Sequence, residues 1–156
     1  MSTQENAVQT ILRTAIQREI DAYTLYSSAA AKTQIPTAQE LLKDLASQEQ
    51  GHRNRLESLL KGKVFQVLSK AQQKKVVDMK ITDYLIEVPL AADSDLQDIL
   101  IVAGKREKAS HDLYAALAQV TDDAETAKLF DFLANEELNH KNRVETLYEQ
   151  IVLKDN

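Results

Sequence analysis

Glu49-Gln50-Gly51-His52 and Glu137-Leu138-Asn139-His140 are two copies of one word, Glu-x-x-His, set 88 residues apart. The same offset carries Glu19 onto Glu107 and Tyr26 onto Tyr114. Each half therefore reads Glu, then Tyr seven residues on, then Glu-x-x-His beginning 30 residues after the first Glu. The flanks follow the register too, with Arg53-Asn54-Arg55-Leu56-Glu57 over Lys141-Asn142-Arg143-Val144-Glu145 and Leu45-Ala46 over Leu133-Ala134. A duplication kept for packing alone would favour Leu where Glu19, Glu49, Glu107 and Glu137 stand. A single Glu-x-x-His on a surface helix carries little information, but the chain has three His and two of them occupy equivalent places in this repeat.

Working outward, the apolar positions recur at helical spacing. Ser2-Thr3-Gln4-Glu5 has the form of a capping box, followed by Val8, Ile11, Leu12, Ala15, Ile16, Glu19, Ala22, Tyr23, Tyr26 and Ala30, which predicts a first helix over about 3–33. Gln34-Ile35-Pro36 breaks it. Thr37-Ala38-Gln39-Glu40 reads as a second capping box opening a helix that Gly62 terminates, with the inward stripe Leu41, Leu45, Glu49, His52, Leu56, Leu59. Ser94-Asp95-Leu96-Gln97 caps a third helix with the stripe Leu96, Leu100, Ala103, Glu107, Ser110, Tyr114, Leu117. After a short turn at Thr121-Asp122-Asp123, a fourth runs to about Leu153 with the stripe Leu129, Leu133, Glu137, His140, Val144, Leu147. The stretch from Lys63 to Asp93 is too long for a bare loop in a compact domain. It reads as a crossover with one or two short helical turns, packing along the bundle or passing to a second subunit. The expected fold is all-α, a four-helix bundle of two hairpins joined by one long crossover, which is the ferritin-like connectivity.

Spacing then brings the acids together. About 14 residues separate Glu19 from the first turn and about 13 separate that turn from Glu49, so at ~1.5 Å per residue the chain travels ~21 Å out and ~20 Å back. Glu19 and Glu49 thus face each other at one height, and Glu107 and Glu137 repeat the arithmetic. Within each Glu-x-x-His the two side chains lie one turn apart on one helix face. Stacking the hairpins gathers four carboxylates and two imidazoles, Glu19, Glu49, His52, Glu107, Glu137 and His140, into one buried layer. Unpaired buried charge is costly and like charges raise each other's pKa, so something positive belongs among them. Two divalent ions balance four carboxylates, and an oxygen and nitrogen donor set without sulfur suits iron or manganese, with zinc a possible occupant.

Composition narrows the class. A chain of 156 residues with 44% hydrophobic residues is one domain's worth, residues 1–156. Three Gly and two Pro fit a nearly all-helical chain. The absence of Cys excludes disulfides, thiolate metal sites and thiol catalysis. A net charge of -5 gives no footprint for nucleic acid and no polybasic membrane patch. No apolar run approaches the ~20 residues a bilayer requires, and Met1-Ser2-Thr3-Gln4-Glu5 lacks the pattern of a signal peptide, so the expected location is cytoplasmic.

Over roughly Gln4 to Leu153 the sequence resembles the ferritin-like di-iron superfamily, and within it the rubrerythrin-like proteins made of the four-helix domain alone. Glu19, Glu49, His52, Glu107, Glu137 and His140 fall on that family's metal ligands, and Tyr26 and Tyr114 on its tyrosines that hydrogen-bond ligand carboxylates. The resemblance implies two iron ions per chain and an oxidoreductase that reduces a small-molecule oxidant, peroxide or dioxygen, in defence against oxidative stress. The alternative is an iron-binding ferroxidase serving sequestration. Rubrerythrin proper also carries a Cys-ligated rubredoxin-type iron, and with no Cys here electrons come from a separate redox protein. Its additional Glu one turn after the third-helix ligand is Ser110 in this chain, with Ala22 equivalent on the first helix. A homodimer is the expected assembly, by resemblance and because two-fold association is commonest.

Other residues have two readings each. Tyr26 and Tyr114 are either core aromatics or groups that orient a ligand. His111, aligned with Tyr23, reads as a helix-edge or ligand-supporting group rather than a ligand. Glu136 turns about 100° away from Glu137 and is expected outside. Gly51 and Gly104 sit inside helices, where close backbone approach or room for ligands would explain them. Arg53, Arg55, Lys141 and Arg143 alternate with acids and read as solvated faces.

Overall fold

Long, uninterrupted stripes on a chain poor in Gly and Pro leave helix as the one way to bury them, and four long helices form. They are α1 (Ala7–Lys32), α2 (Pro36–Lys61), α3 (Leu96–Val120) and α4 (Ala124–Lys154), in a computed structural model that describes residues 7–62, 74–75, 90 and 94–154. Among the described residues there is no strand. The Ser2 capping box and nearly all of the crossover lie outside the described residues. None of the described helices is long and apolar enough to cross a membrane.

The helix ends obey local chemistry that differs in places from the expected boxes. α2 opens at Pro36, with Ile35 as a cap lacking any side-chain bond, so Thr37 is already helical and its box is not formed. The Pro explains this: its fixed φ suits the first helical position and its missing N–H needs no acceptor there. Gln39 Nε2 instead donates to the Thr33 carbonyl at 2.8 Å, tying the turn to the helix it starts. α3 is capped by Asp95, not Ser94, through Asp98 N–H donating to Oδ1 at 2.9 Å. Asp123 caps α4, accepting from both N–H and Oγ1 of Thr126 at 2.9 and 2.6 Å. Gly62 ends α2 in an extended conformation, φ -71°, so no left-handed terminator is used.

α1 packs along α2 and α3 along α4, and the two hairpins meet through α1 against α3 and α2 against α4. The core falls into two apolar blocks. One gathers Ile11, Leu12, Ala15, Leu56, Leu113, Tyr114, Leu117, Phe130, Leu133 and Ala134. The other gathers Tyr26, Ala29, Ala30, Ala38, Leu42, Leu45, Ala46, Ile99, Leu100, Ala103, Val144 and Leu147. Repeat mates sit in opposite blocks: Ile11 and Ile99, Leu12 and Leu100, Leu45 and Leu133, Leu56 and Val144. The duplication is therefore a pseudo-two-fold axis that exchanges the ends of the bundle. Each fully buried Leu contributes ~1.5–3 kcal/mol of transfer free energy, and that apolar burial is what supports the polar layer between the blocks. Tyr23, expected on the α1 stripe, is 42% exposed, because the inward arc at that turn is taken by Glu19, Ala22 and Tyr26.

Candidate metal centre

Glu19 from α1, Glu49 and His52 from α2, Glu107 from α3, and Glu137 and His140 from α4 are all buried, none more than 3% exposed. The apolar stripe of each helix continues on both sides of its acid, so burying the stripe carries the acid inward. All six expected residues meet in one layer.

Their contacts are exchanged between hairpins. His52 Nδ1 lies 2.8 Å from Glu137 Oε1, and His140 Nδ1 lies 2.7 Å from Glu49 Oε1. His52 Nδ1 is also 3.7 Å from Glu19 Oε2 and 4.0 Å from Glu49 Oε2, while His140 Nδ1 is 3.7 Å from Glu107 Oε1. The imidazoles stack with centroids 5.3 Å apart and planes inclined by 13°. One ligand atom from each of Glu49, His52, Glu137 and His140 lies within 4.8 Å of the others, a cluster that can hold a metal ion. Glu19 and Glu107 flank it.

Tyr26 O–H donates to Glu107 Oε1 at 2.6 Å, and Tyr114 O–H donates to Glu19 Oε1 at 2.6 Å. Each phenol thus serves the acid of the other half, not the Glu seven residues before it on its own helix. The bonds pin one oxygen of each flanking carboxylate. The other oxygens, Glu19 Oε2 and Glu107 Oε2, are buried without any hydrogen-bond partner. An unsatisfied buried carboxylate oxygen is expensive. Glu19 Oε2 lies 3.7 Å from His52 Nδ1, and a cation is what the two bare oxygens would fit.

Charge crowding shows in the titration of the layer. Burial, with Glu107 and Glu19 close by, pushes the Glu49 carboxyl well above the usual carboxylate range. Burial and the charges of Glu107, Glu19 and Glu49 do the same to Glu137. Glu19 moves the other way: burial alone would raise it, but the neighbouring Glu49 and His52 and the phenol of Tyr114 together bring it down. Burial and the neighbouring carboxylates push both phenols, Tyr26 and Tyr114, up, so they remain donors. His140 Nδ1 faces Glu49 Oε1, while Nε2 on the other side of the ring donates its hydrogen to Gln48 Oε1 at 2.7 Å. That tautomer keeps the Nδ1 lone pair turned into the layer, as a metal ligand requires.

Several neighbours were expected elsewhere or not singled out. Glu136, expected outside, is partly buried, its side chain 31% exposed and its Oε1 3.9 Å from His52 Nε2. Gln48 was not singled out, although the 88-residue offset pairs it with Glu136. His111 Nδ1 donates to the Ala134 carbonyl at 2.8 Å and so ties α3 to α4. A Cβ added to Gly51 or Gly104 would meet nothing within 4 Å, so close backbone approach is not the reason for either glycine. Arg53 pairs with Glu57 and Lys141 with Glu145, both at helical spacing, as solvated faces do.

A family model described as Rubrerythrin matches residues 10–148. No curated protein and no solved structure matches the chain.

Proposed function

The chain belongs to the rubrerythrin family, and on that premise we propose that it is a di-iron carboxylate oxidoreductase reducing peroxide or dioxygen. Glu19, Glu49, His52, Glu107, Glu137 and His140 would hold the metals, with electrons supplied by a separate redox protein. The observation that carries the reading is the pair of buried, partnerless oxygens on Glu19 and Glu107 beside the cluster of Glu49, His52, Glu137 and His140.

A pair of ferrous ions held by these residues would supply the two electrons that, with two protons, reduce one peroxide to two waters. The protein does the rest. Glu49 and Glu137, each in contact with an imidazole of the opposite hairpin, would supply the carboxylates at the middle of the layer. Their raised affinity for protons means that a metal would compete with protons for them. Tyr26 and Tyr114 fix the orientation of Glu107 and Glu19 through the 2.6 Å bonds and leave one oxygen of each free. The apolar blocks on either side exclude bulk water, which strengthens every charge interaction in the layer.

The test is anaerobic ferrous loading followed by a peroxide titration. About two irons per chain and reoxidation by about one peroxide per pair are expected. Loss of iron in Glu49→Ala is expected as well; unchanged iron content in that variant would overturn the assignment. Uptake of iron far beyond the pair would favour sequestration, and light scattering would then separate a large shell from the homodimer proposed here. Metal analysis of the protein from its own cells decides between iron, manganese and zinc.

A further inference from the structure

The repeat is faithful inside the metal layer and diverges just behind it. His52 and His140 are mates at an offset of 88, and so are Gln48 and Glu136, Asp44 and Phe132, and Arg55 and Arg143. Behind His140, Nε2 meets Gln48 Oε1 at 2.7 Å, and the nearby Arg143 Nη2 is held by Asp44 Oδ2 at 2.8 Å. Behind His52 the same places hold other chemistry. Phe132 stands in the position of Asp44, its ring edge-on to the His52 ring at 6.5 Å and 83°, with the Arg55 guanidinium 4.8 Å from the Phe132 centroid. His52 Nε2 is buried with no hydrogen-bond partner, and a carboxylate oxygen of Glu136 lies 3.9 Å from it.

We propose that Glu136 is the positioning residue for His52, as Gln48 is for His140, and that this exchange of amide for carboxylate makes the two metal positions of the centre unequal. The inference rests on the metal-holding part of the reading above and not on the oxidant. Its geometry needs little movement. Closing 3.9 Å to an ordinary N–H···O distance of about 2.8 Å takes about 1 Å, within reach of a long side chain that is partly in solvent. With Nδ1 turned into the layer, the Nε2 hydrogen points to Glu136, so His52 gains the partner it lacks. No bond is made or broken in the protein; the hydrogen stays on Nε2.

The chemical consequence follows from what stands behind each ring. A carboxylate accepting the outer N–H of a ligating imidazole raises the basicity of the inner nitrogen more than a neutral amide does, and losing such a partner costs roughly 10–100-fold in metal affinity. The position served by His52 therefore fills first, by about tenfold or more. The local ligand field differs as well, so the two ions are spectroscopically distinct.

The experiment is an anaerobic titration of the full chain with cobaltous and then ferrous ion, read by calorimetry, with Mössbauer spectra of the iron-57 form. Wild type is expected to bind in two steps separated by about tenfold or more, with two quadrupole doublets. In Glu136→Gln the tighter step weakens by about tenfold or more and the doublets draw together. In Gln48→Glu the weaker step tightens, and the double exchange Q48E/E136Q restores two steps. Both changes are near-isosteric, and unaltered melting of the metal-free variants confirms an intact fold. Steps and doublets that do not respond to Glu136→Gln would overturn the inference while leaving the metal centre standing. Absence of any metal uptake by wild type would overturn the functional reading itself.

Discussion

Replacing Glu137 by Gln should stabilise the metal-free protein at pH 7.5 while removing its capacity for metal. Glu137 is buried among Glu107, Glu19 and Glu49, which push its carboxyl well above the usual range. A folded-state value above the unfolded one means that the native chain keeps a proton the unfolded chain releases. The contribution to stability is full below the unfolded value of about 4.3 and is lost as pH rises through the folded value. Holding a proton at pH 7.5 on a group that ordinarily releases it near 4.3 costs about 4 kcal/mol at most, at 1.36 kcal/mol per unit. An amide has no such cost, and its NH2 can donate to His52 Nδ1, now 2.8 Å from Glu137 Oε1. Allowing for imperfect fit, the gain should be about 1–3 kcal/mol, a rise in Tm of about 2–12 °C for a domain of this size. Urea unfolding of chelator-treated wild type and Glu137→Gln at pH 7.5 and 4.5 measures it. The gain should be present at the higher pH and absent at the lower. A Glu137→Gln variant that is less stable than wild type at pH 7.5, or that binds metal as wild type does, would refute the reasoning.

Tyr26→Phe and Tyr114→Phe should each cost about 1.5–3 kcal/mol in the metal-free protein, because each strips a donor from a buried carboxylate. As repeat mates the two should differ little in a urea titration. Metal at a hundredfold excess over its Kd should stabilise the fold by about 2.7 kcal/mol per site, and chelation should reverse the gain in a thermal melt. The same uptake should release protons at pH 7, measurable in weakly buffered solution. Leu133→Ala, in the apolar block beside the layer, should cost about 2–5 kcal/mol yet leave iron stoichiometry unchanged.

The parts of this molecule that depend on spacing were readable in advance, and the parts that depend on side-chain reach were not. Equal arm lengths around two turns place Glu19, Glu49, Glu107 and Glu137 at one height whatever the details of packing. The 88-residue register gives the two-fold axis directly. Which phenol serves which acid is a different matter. Tyr26 and Glu19 share a stripe, but a tyrosine is long enough to cross the bundle, and the bond goes to Glu107. Glu136 was expected outside because 100° from an inward residue is outward on an isolated helix. Here the large His52 ring reaches out from the layer and brings its Nε2 edge to Glu136. The start of α2 differed for a local reason, since Pro36 displaces the box that Thr37 and Glu40 spell. The readings placed on the crossover, its helical turns and its path, fall outside the described residues.

The crosswise partnering of the centre has a mechanical side. The four shortest polar contacts among its six residues and two phenols each join one hairpin to the other. The ions would thus act as a clasp across a seam between two preassembled halves. Opening that clasp should loosen the halves as units while the helices within each stay wound. Amide exchange after chelation should accordingly quicken along the faces of α1 and α3 that meet, ahead of any loss of helical circular dichroism.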